Sequence, residues 1–298
     1  MATGSKDKIL EGGIMIDAKT QVYGLIGYPV RHSKSPAMHN AAFERLGMNA
    51  IYLCFEVRPE HLKLAVEGIR SLGIAGMNVT VPHKQAVIKY LDEITTVAER
   101  IGAVNTIFRR GDKLIGTNTD AEGFIRDLRD TCRFAARNKR CLIVGAGGGA
   151  RAVCFGLADA GAKTIFIVDI DKKKSRALMR DLKKQYKAVE IKAVDHKNIP
   201  DIAPDVHLLV NATPVGMKET DPAPVDLSPF PSTTLVYDLI YSPSLTGLLV
   251  QARKRKMPYA NGLGMLLQQG AVAFKHWTKV DPPLEVMAKA IGFKQRRR

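Results

Sequence analysis

The sequence predicts an α/β protein of two domains with a cleft between them. Three observations carry that expectation. Strand-like and helix-like segments alternate through the first 120 residues, a glycine cluster interrupts a short apolar run at Gly145, and 298 residues supply enough chain for about two hydrophobic cores.

The alternation starts with Val22 to Ile26, a strand that Gly27-Tyr28-Pro29 breaks. Ser35-Pro36 opens a helix through Leu46, with serine as cap and proline at the first helical position. Ile51 to Val57 is a second strand, and Pro59 to Leu72 a helix with Leu62, Val66 and Ile69 on one face. Ile74 to Val81 forms a third strand, ended by Pro82, with two helical stretches after it at Ala86 to Leu91 and Thr95 to Ile101. Val104 to Phe108 and Lys113 to Ile115 make a hairpin around Gly111-Asp112. Strand, helix, strand at this spacing implies right-handed crossovers and a largely parallel sheet.

The second unit begins at the glycine cluster. Leu142 to Val144 is a buried strand, Gly145 allows the tight turn, and Gly147 lets backbone approach a pyrophosphate. Ala150 lets the next helix, Arg151 to Ala160, pack close, and that helix's free N–H groups face the phosphates. Gly145-Ala-Gly-Gly-Gly-Ala150 thus matches the Rossmann dinucleotide fingerprint G-x-G-x-x-A. Gly161 ends the helix, and Thr164 to Val168 closes on Asp169, 24 positions after Gly145, where such folds hold an adenine ribose. Further strands are expected near Val189 to Val194, His207 to Val210 and Leu235 to Tyr237. The proline-rich stretch Asp221 to Pro231 is a loop. A last helix, Met265 to Trp277, should cross back onto the first domain. Residues 1–120 with 262–298 are therefore expected to bind substrate, and 121–261 to bind the dinucleotide.

Composition narrows the class. Apolar content of 46% and charged content of 25% fit a soluble globular enzyme, and no apolar run reaches the roughly 18 residues of a membrane span. Met1 to Lys8 carries no hydrophobic region behind it, so a cytoplasmic protein is expected. Cys54, Cys132, Cys141 and Cys154 show no metal or redox spacing and are read as reduced thiols, with no metal site. The net charge of +16 invites a nucleic-acid reading. Its densest run, Asp171 to Lys187, keeps Leu178, Leu182 and Tyr186 at helical spacing, which makes it a solvated helix face. The tail Lys294 to Arg298 is expected to fray. The charge is thus expected to attract anionic small molecules rather than to bind nucleic acid specifically.

Polar residues cluster where strands end, the place where open α/β sheets bind ligands. Ser33 and Ser35 come after the first strand, Asn78, Thr80 and Lys84 after the third, and Asn105, Thr106, Thr119 and Asp120 lie around the hairpin. Neutral hydroxyl and amide donors with one lysine and one carboxylate suit a small polyhydroxylated acid. The motifs His32-Ser-Lys-Ser-Pro36, Asn78-Val-Thr-Val-Pro-His-Lys84, Gly102-Ala-Val-Asn-Thr106, Asn118-Thr-Asp120, Gly145 to Ala150, Asn211-Ala-Thr-Pro-Val-Gly-Met217, Tyr237-Asp-Leu-Ile-Tyr241 and Gly262-Leu-Gly-Met-Leu-Leu-Gln-Gln269 resemble, in order, those of the shikimate dehydrogenase family, which includes the quinate/shikimate dehydrogenases.

The resemblance implies reversible hydride transfer between 3-dehydroshikimate and shikimate, some members also taking quinate. Lys84 and Asp120 would be the catalytic pair, and Ser33, Ser35, Asn78, Thr80, Asn105, Tyr241 and Gln269 would line the substrate pocket. Gly145, Ala146, Gly147, Gly148, Gly149, Ala150, Asp169, Asp171, Thr213 and Gly262 would hold the cofactor, Gly262 near the nicotinamide. The chemistry agrees: negative charge grows on a ketone oxygen during reduction, and an ammonium in reach stabilises it and delivers the proton. A neighbouring carboxylate favours the ammonium, so the pair suits reduction at neutral pH, and oxidation should speed up in alkali.

His83 departs from the residues typical of its position in the family and is expected to be an exposed neutral imidazole, the alternative being a group that tunes Lys84. Many family members that use NADP carry Asn-Arg-Thr and a later arginine after the second strand of the nucleotide fold, the arginines gripping the 2′-phosphate. Here Asp169-Ile-Asp171 stands instead, and a carboxylate accepts bonds from ribose hydroxyls but repels a 2′-phosphate, so NAD is the expected cofactor. Lys172, Lys173, Lys174 and Arg176 are the counterweight that would admit NADP. Ser33 and Ser35 lean toward shikimate, with quinate left open, as is the choice between monomer and homodimer. A dehydrogenase for another cyclohexene acid, or a non-catalytic ligand sensor or nucleic-acid binder, is the alternative.

Overall fold

The structure, a computed structural model, describes residues 16–294; most of the expected fraying tail and the opening segment lie outside them. The first sheet is built from β1 (Gln21–Gly27), β2 (Ala50–Glu56), β3 (Gly76–Val79), β4 (Glu93–Ile94), β5 (Thr106–Arg110) and β6 (Lys113–Thr117), in the order β2-β1-β3-β5-β6-β4. Helices α1 (Ser35–Arg45), α2 (Leu62–Ser71) and α3 (Thr96–Ile101) connect its strands, and α4 (Asp120–Asp130) leaves it. The sheet is largely parallel, as expected, and β5 is the one strand that runs the other way. β1 pairs in parallel with β2 and β3, but the β5–β6 hairpin runs antiparallel and inserts between β3 and β4. A hairpin needs no crossover, so it reverses direction in place.

The second sheet holds β7 (Arg140–Val144), β8 (Thr164–Val168), β9 (Glu190–Ala193), β10 (Leu208–Asn211), β11 (Leu235–Asp238) and β12 (Tyr259–Asn261), all parallel. Its order β12-β11-β10-β7-β8-β9 reverses at β7, which puts a crevice at the end of that strand. Helices α5 (Gly148–Asp159), α6 (Lys172–Gln185), α7 (Ile199–Ile202) and α8 (Gly247–Lys254) connect it. Alternate strand residues enter two cores. Cys141, Ile143, Ile165 and Ile167 face α5 and α6, while Leu142, Val144, Phe166 and Val168 face α8. Continuous apolar strands are what a sheet covered on both faces requires. On α6 the basic run does line an exposed face, with Ser175, Leu178 and Leu182 buried beneath it.

Helix α9 (Leu263–Thr278) returns to the first sheet and leads into α10 (Leu284–Ala290). Leu267, Ala271 and Phe274 join Tyr23, Phe43 and Tyr52 in one core, and the Trp277 indole donates to the Ile107 carbonyl at 2.9 Å. Gly76 admits that indole: a Cβ there would sit 2.4 Å from the ring. None of the four cysteines forms a disulfide, and no described helix is long and apolar enough to cross a membrane.

Candidate active site

The expected catalytic pair meets where the end of β3 faces the first turn of α5. Lys84 Nζ donates to Asp120 Oδ2 at 2.6 Å, with side chains 13% and 6% exposed. The aliphatic stem of Lys84 lies on Gly148, where a Cβ would come within 3.0 Å of Lys84 Cβ. A buried ion pair is tolerated when its remaining lone pairs are satisfied. Asp120 meets this condition, because its Oδ1 accepts from Asn105 Nδ2 at 2.8 Å. Asn118 fixes the turn before it, donating to the Ala103 carbonyl at 2.9 Å and accepting from the Asp120 N–H at 3.1 Å.

From Asn105 a polar network extends through the site. Its amide also donates to Thr119 Oγ1 at 2.9 Å and to Gln269 Oε1 at 3.3 Å, and Thr106 Oγ1 donates to Asn105 Oδ1 at 3.0 Å. Asn78 Nδ2 donates to Thr106 Oγ1 at 3.0 Å and to the Asn105 carbonyl at 3.2 Å, while its Oδ1 accepts from the Tyr52 hydroxyl at 2.8 Å. Sequence reasoning leaves Tyr52 as no more than a strand residue. The signal that places it in the site is its position on a strand facing Asn78, and that signal requires the register between β1, β2 and β3.

Ser33, Ser35 and Tyr241 gather at the Tyr52 end. The Tyr241 phenol lies beside Ser33 and the Tyr52 phenol beside Ser35, and burial pushes both phenols up from their ordinary range. Ser35 is not the cap of α1. The cap residue is Lys34, whose side chain makes no cap bond, and Ser35 is the first residue of the helix, its N–H donating to Ser33 Oγ at 3.2 Å. Thr80 sits on the turn leaving β3 with its methyl toward Gly27, where a Cβ would fall 2.3 Å from it.

His83 overturns its expectation of exposure. It is 1% exposed, and its Nε2 lies 2.7 Å from the Val57 carbonyl. A carbonyl only accepts, so Nε2 carries the proton. Val57 N–H in turn donates to Gly27 O at 2.9 Å, and the turn bearing Lys84 is thereby tied to the end of β2.

The glycine turn has the shape a pyrophosphate needs. Gly145 has φ +111° and lies against Ala212 O, where a Cβ would come within 2.9 Å; beyond Gly147, at the start of α5, the space is open. Ala150, on the first turn of α5, is fully buried. Gly149 lies near Leu239, and Gly262 packs so close to the Leu239 carbonyl that a Cβ would be 2.0 Å from its oxygen. Thr213 stands beside the turn and donates to Asn211 Oδ1 at 2.7 Å. Asn211 also donates to the buried Asp238 at 3.0 Å, whose carboxyl desolvation holds above its ordinary range.

The acids after β8 are already engaged. Asp169 accepts from the Ala146 N–H at 2.7 Å and from the Asp171 N–H at 2.8 Å, and Asp171 caps α6 by accepting from the Lys173 N–H at 2.9 Å. The Ala146 N–H thus points at a side chain rather than at the open space. A carboxylate has further lone pairs, so Asp169 still has acceptors to offer a ribose. Lys172, one of the cations that would admit a phosphate, is held by Asp195 at 2.7 Å.

Residues 25–107 match the family model of the shikimate dehydrogenase substrate binding domain, and residues 262–291 that of the shikimate 5'-dehydrogenase C-terminal domain. A curated relative, shikimate dehydrogenase (NADP(+)) of Methanopyrus kandleri, is 47% identical over 283 residues, covering 93% of this chain and 97% of that protein. A crystal structure of a shikimate dehydrogenase in complex with NADP+ superposes with a TM-score of 0.86 at 43% identity, covering 96% of this chain and 99% of that one. A quinate dehydrogenase from Corynebacterium glutamicum in complex with NAD gives a TM-score of 0.83 at 30% identity, covering 91% and 98%. On the likeness along nearly its whole length, the chain belongs to the shikimate dehydrogenase family.

Proposed function

We propose that the protein catalyses the reversible, nicotinamide-dependent reduction of 3-dehydroshikimate to shikimate, with Lys84 and Asp120 as its catalytic pair. The observation that carries this reading is the buried Lys84–Asp120 contact lying against Gly148 of the dinucleotide turn. Residues 1–120 with 262–298 are assigned to the ring acid and 121–261 to the dinucleotide, which Gly145, Gly147, Gly148, Gly149, Ala150, Thr213 and Gly262 would hold. When bound, that cofactor supplies or accepts the hydride.

The chain's own groups do the rest. In reduction, the Lys84 ammonium hydrogen-bonds the ketone oxygen, stabilises the charge growing there and gives up a proton. Asp120 holds Nζ on its axis, and Asn105 holds Asp120 from the other side. In oxidation the same nitrogen must first be neutral, so that direction is expected to gain rate in alkali. Ser33, Ser35 and Tyr241 offer hydroxyl donors to a ring carboxylate, and Asn78, Thr80, Asn105 and Gln269 offer mixed donors and acceptors to ring hydroxyls.

For the cofactor we propose a preference for NAD. Its support is Asp169, a carboxylate where a 2′-phosphate would lie, together with the engagement of Lys172 by Asp195. The relatives named for NADP(+) carry the opposing weight. Initial rates with shikimate and quinate, each against NAD and NADP, test both proposals. Higher kcat/KM with NADP would overturn the role given to Asp169, and no turnover of shikimate would overturn the reaction.

A further inference from the structure

Helix α5 touches the elements bearing the catalytic pair along one face. Gly148 lies on the Lys84 stem, and Gly156, two turns on, lies within 3.1 Å, measured from its Cβ position, of the carbonyl of Ala121, the neighbour of Asp120. Arg151, three residues after Gly148 and so its neighbour on the helix surface, projects toward α3 and α6. It is 8% exposed, a burial that a guanidinium tolerates when it is paired. Its Nε donates to the Ile101 carbonyl at the end of α3, and Nη2 donates to Asp181 of α6 at 3.0 Å. Gly102, at φ +68°, lies flat on the guanidinium, where a Cβ would come within 2.8 Å of Nη2.

The segment after Gly102 builds the site. The Val104 N–H donates to the Lys84 carbonyl at 2.7 Å, and Asn105 holds Asp120. A shift of α5 at its phosphate-facing end therefore reaches the catalytic pair by two routes, through Gly148 to Lys84 and through Arg151 to Asn105. We propose that Arg151 is a positioning residue that couples occupation of the dinucleotide turn to the placement of Asn105, Asp120 and Lys84. This coupling rests on the proposed dehydrogenase function.

The test compares binding of shikimate to the protein alone and to the protein saturated with NADH or NADPH, mixtures that cannot react because both partners are reduced. In the wild type, the reduced dinucleotide should tighten shikimate by roughly tenfold. In Arg151→Met that factor should fall toward one, while dinucleotide affinity in the absence of shikimate changes little. Arg151→Lys, whose single ammonium cannot bridge Ile101 and Asp181, should give an intermediate factor. Should Arg151→Met fail to fold, Asp181→Asn, which loosens the guanidinium from its exposed side, must lower the factor. A factor unchanged in the folded variants, or equal to one in a wild type that binds shikimate, overturns the proposal.

A second readout does not depend on the ring acid. Hydrogen exchange at the Val104 amide should slow on adding dinucleotide alone in the wild type and not in the variant. Absence of shikimate binding with that difference present would sink the dehydrogenase function and leave the coupling standing. Equal exchange in both proteins sinks the coupling.

Discussion

Lys84 is held by an acid, by a backbone and by a glycine, and each makes a different demand on substitution. Lys84→Ala removes the proton donor but leaves Asp120 bonded to Asn105. Turnover should drop by roughly 10²–10⁴-fold, with dinucleotide affinity largely kept; near-normal turnover in steady-state assays would remove the proposed acid. Asp169 holds two N–H groups and is also the proposed reader of the cofactor's 2′-position. Asp169→Asn keeps one acceptor oxygen for the two N–H groups of Ala146 and Asp171 and removes the charge. The ratio of kcat/KM for NADP over NAD should rise by roughly tenfold or more, at some loss of NAD affinity, and an unmoved ratio would show that the acid does not read the phosphate. Most of these side chains are legible in the sequence because they sit in short motifs at strand ends. His83 is not, since a histidine beside an active lysine looks the same in sequence whether it faces water or a carbonyl two strands away.

At the level of elements, α4 is the segment that the sequence conceals. Its buried positions Asp120, Ala121, Gly123, Phe124, Asp127 and Leu128 keep helical spacing, but two of the six are acids and one is a glycine, so no apolar stripe announces them. The helix is buried because it is wedged between α5 and α9. Gly123 lies against the backbone of Gln269, where a Cβ would come 2.6 Å from both Gln269 N and Cβ, and Gly264 of α9 lies against Asp127. Burial holds the Asp127 carboxyl above its ordinary range, and it accepts from the Tyr237 hydroxyl at 2.6 Å. Gly123→Ala must push two backbones apart, at a cost of roughly 1–3 kcal/mol in chemical unfolding, and it should lower turnover as well, since Gln269 moves with the strain. Gly68 of α2 is the contrast: a Cβ there meets nothing within 4 Å. Gly68→Ala should be neutral or stabilising by roughly 0.5–1 kcal/mol. If the two variants unfold alike, close packing of α4 on α9 is not what holds these elements. The antiparallel hairpin is legible from Gly111-Asp112, but its insertion beside β3 is not, because strand order is set by packing that no local pattern records.

Across the whole molecule, the return of α9 closes the first core around an uncharged histidine. His39, on α1, is fully buried and stacks on Tyr52 with ring centroids 4.5 Å apart; Phe274 and Trp277 of α9 flank it, and neither ring nitrogen has a hydrogen-bond partner among the described residues. Desolvation holds it down at about 3, against 6.5 for a free histidine. In the unfolded chain the ring takes a proton as pH falls through 6.5, whereas in the fold it stays neutral until about 3. Between those values the unfolded state binds one more proton, so stability falls with pH at about 1.4 kcal/mol per unit. Above 6.5 neither state is charged and the group contributes no slope. Asp127 and Asp238, whose carboxyls burial raises, act in the opposite sense, gaining stability as they are protonated. The wild-type profile therefore mixes terms, and only a difference isolates His39. His39→Phe keeps an aromatic ring on Tyr52 and cannot be protonated. Urea unfolding at pH 7, 5.5 and 4.5 should show the variant losing less stability than the wild type at each step below 6.5, with the gap between the two profiles widening as pH falls. Parallel profiles would mean that the buried ring finds a partner for its proton, and that the aromatic core beneath the proposed substrate pocket is wetter than its packing implies.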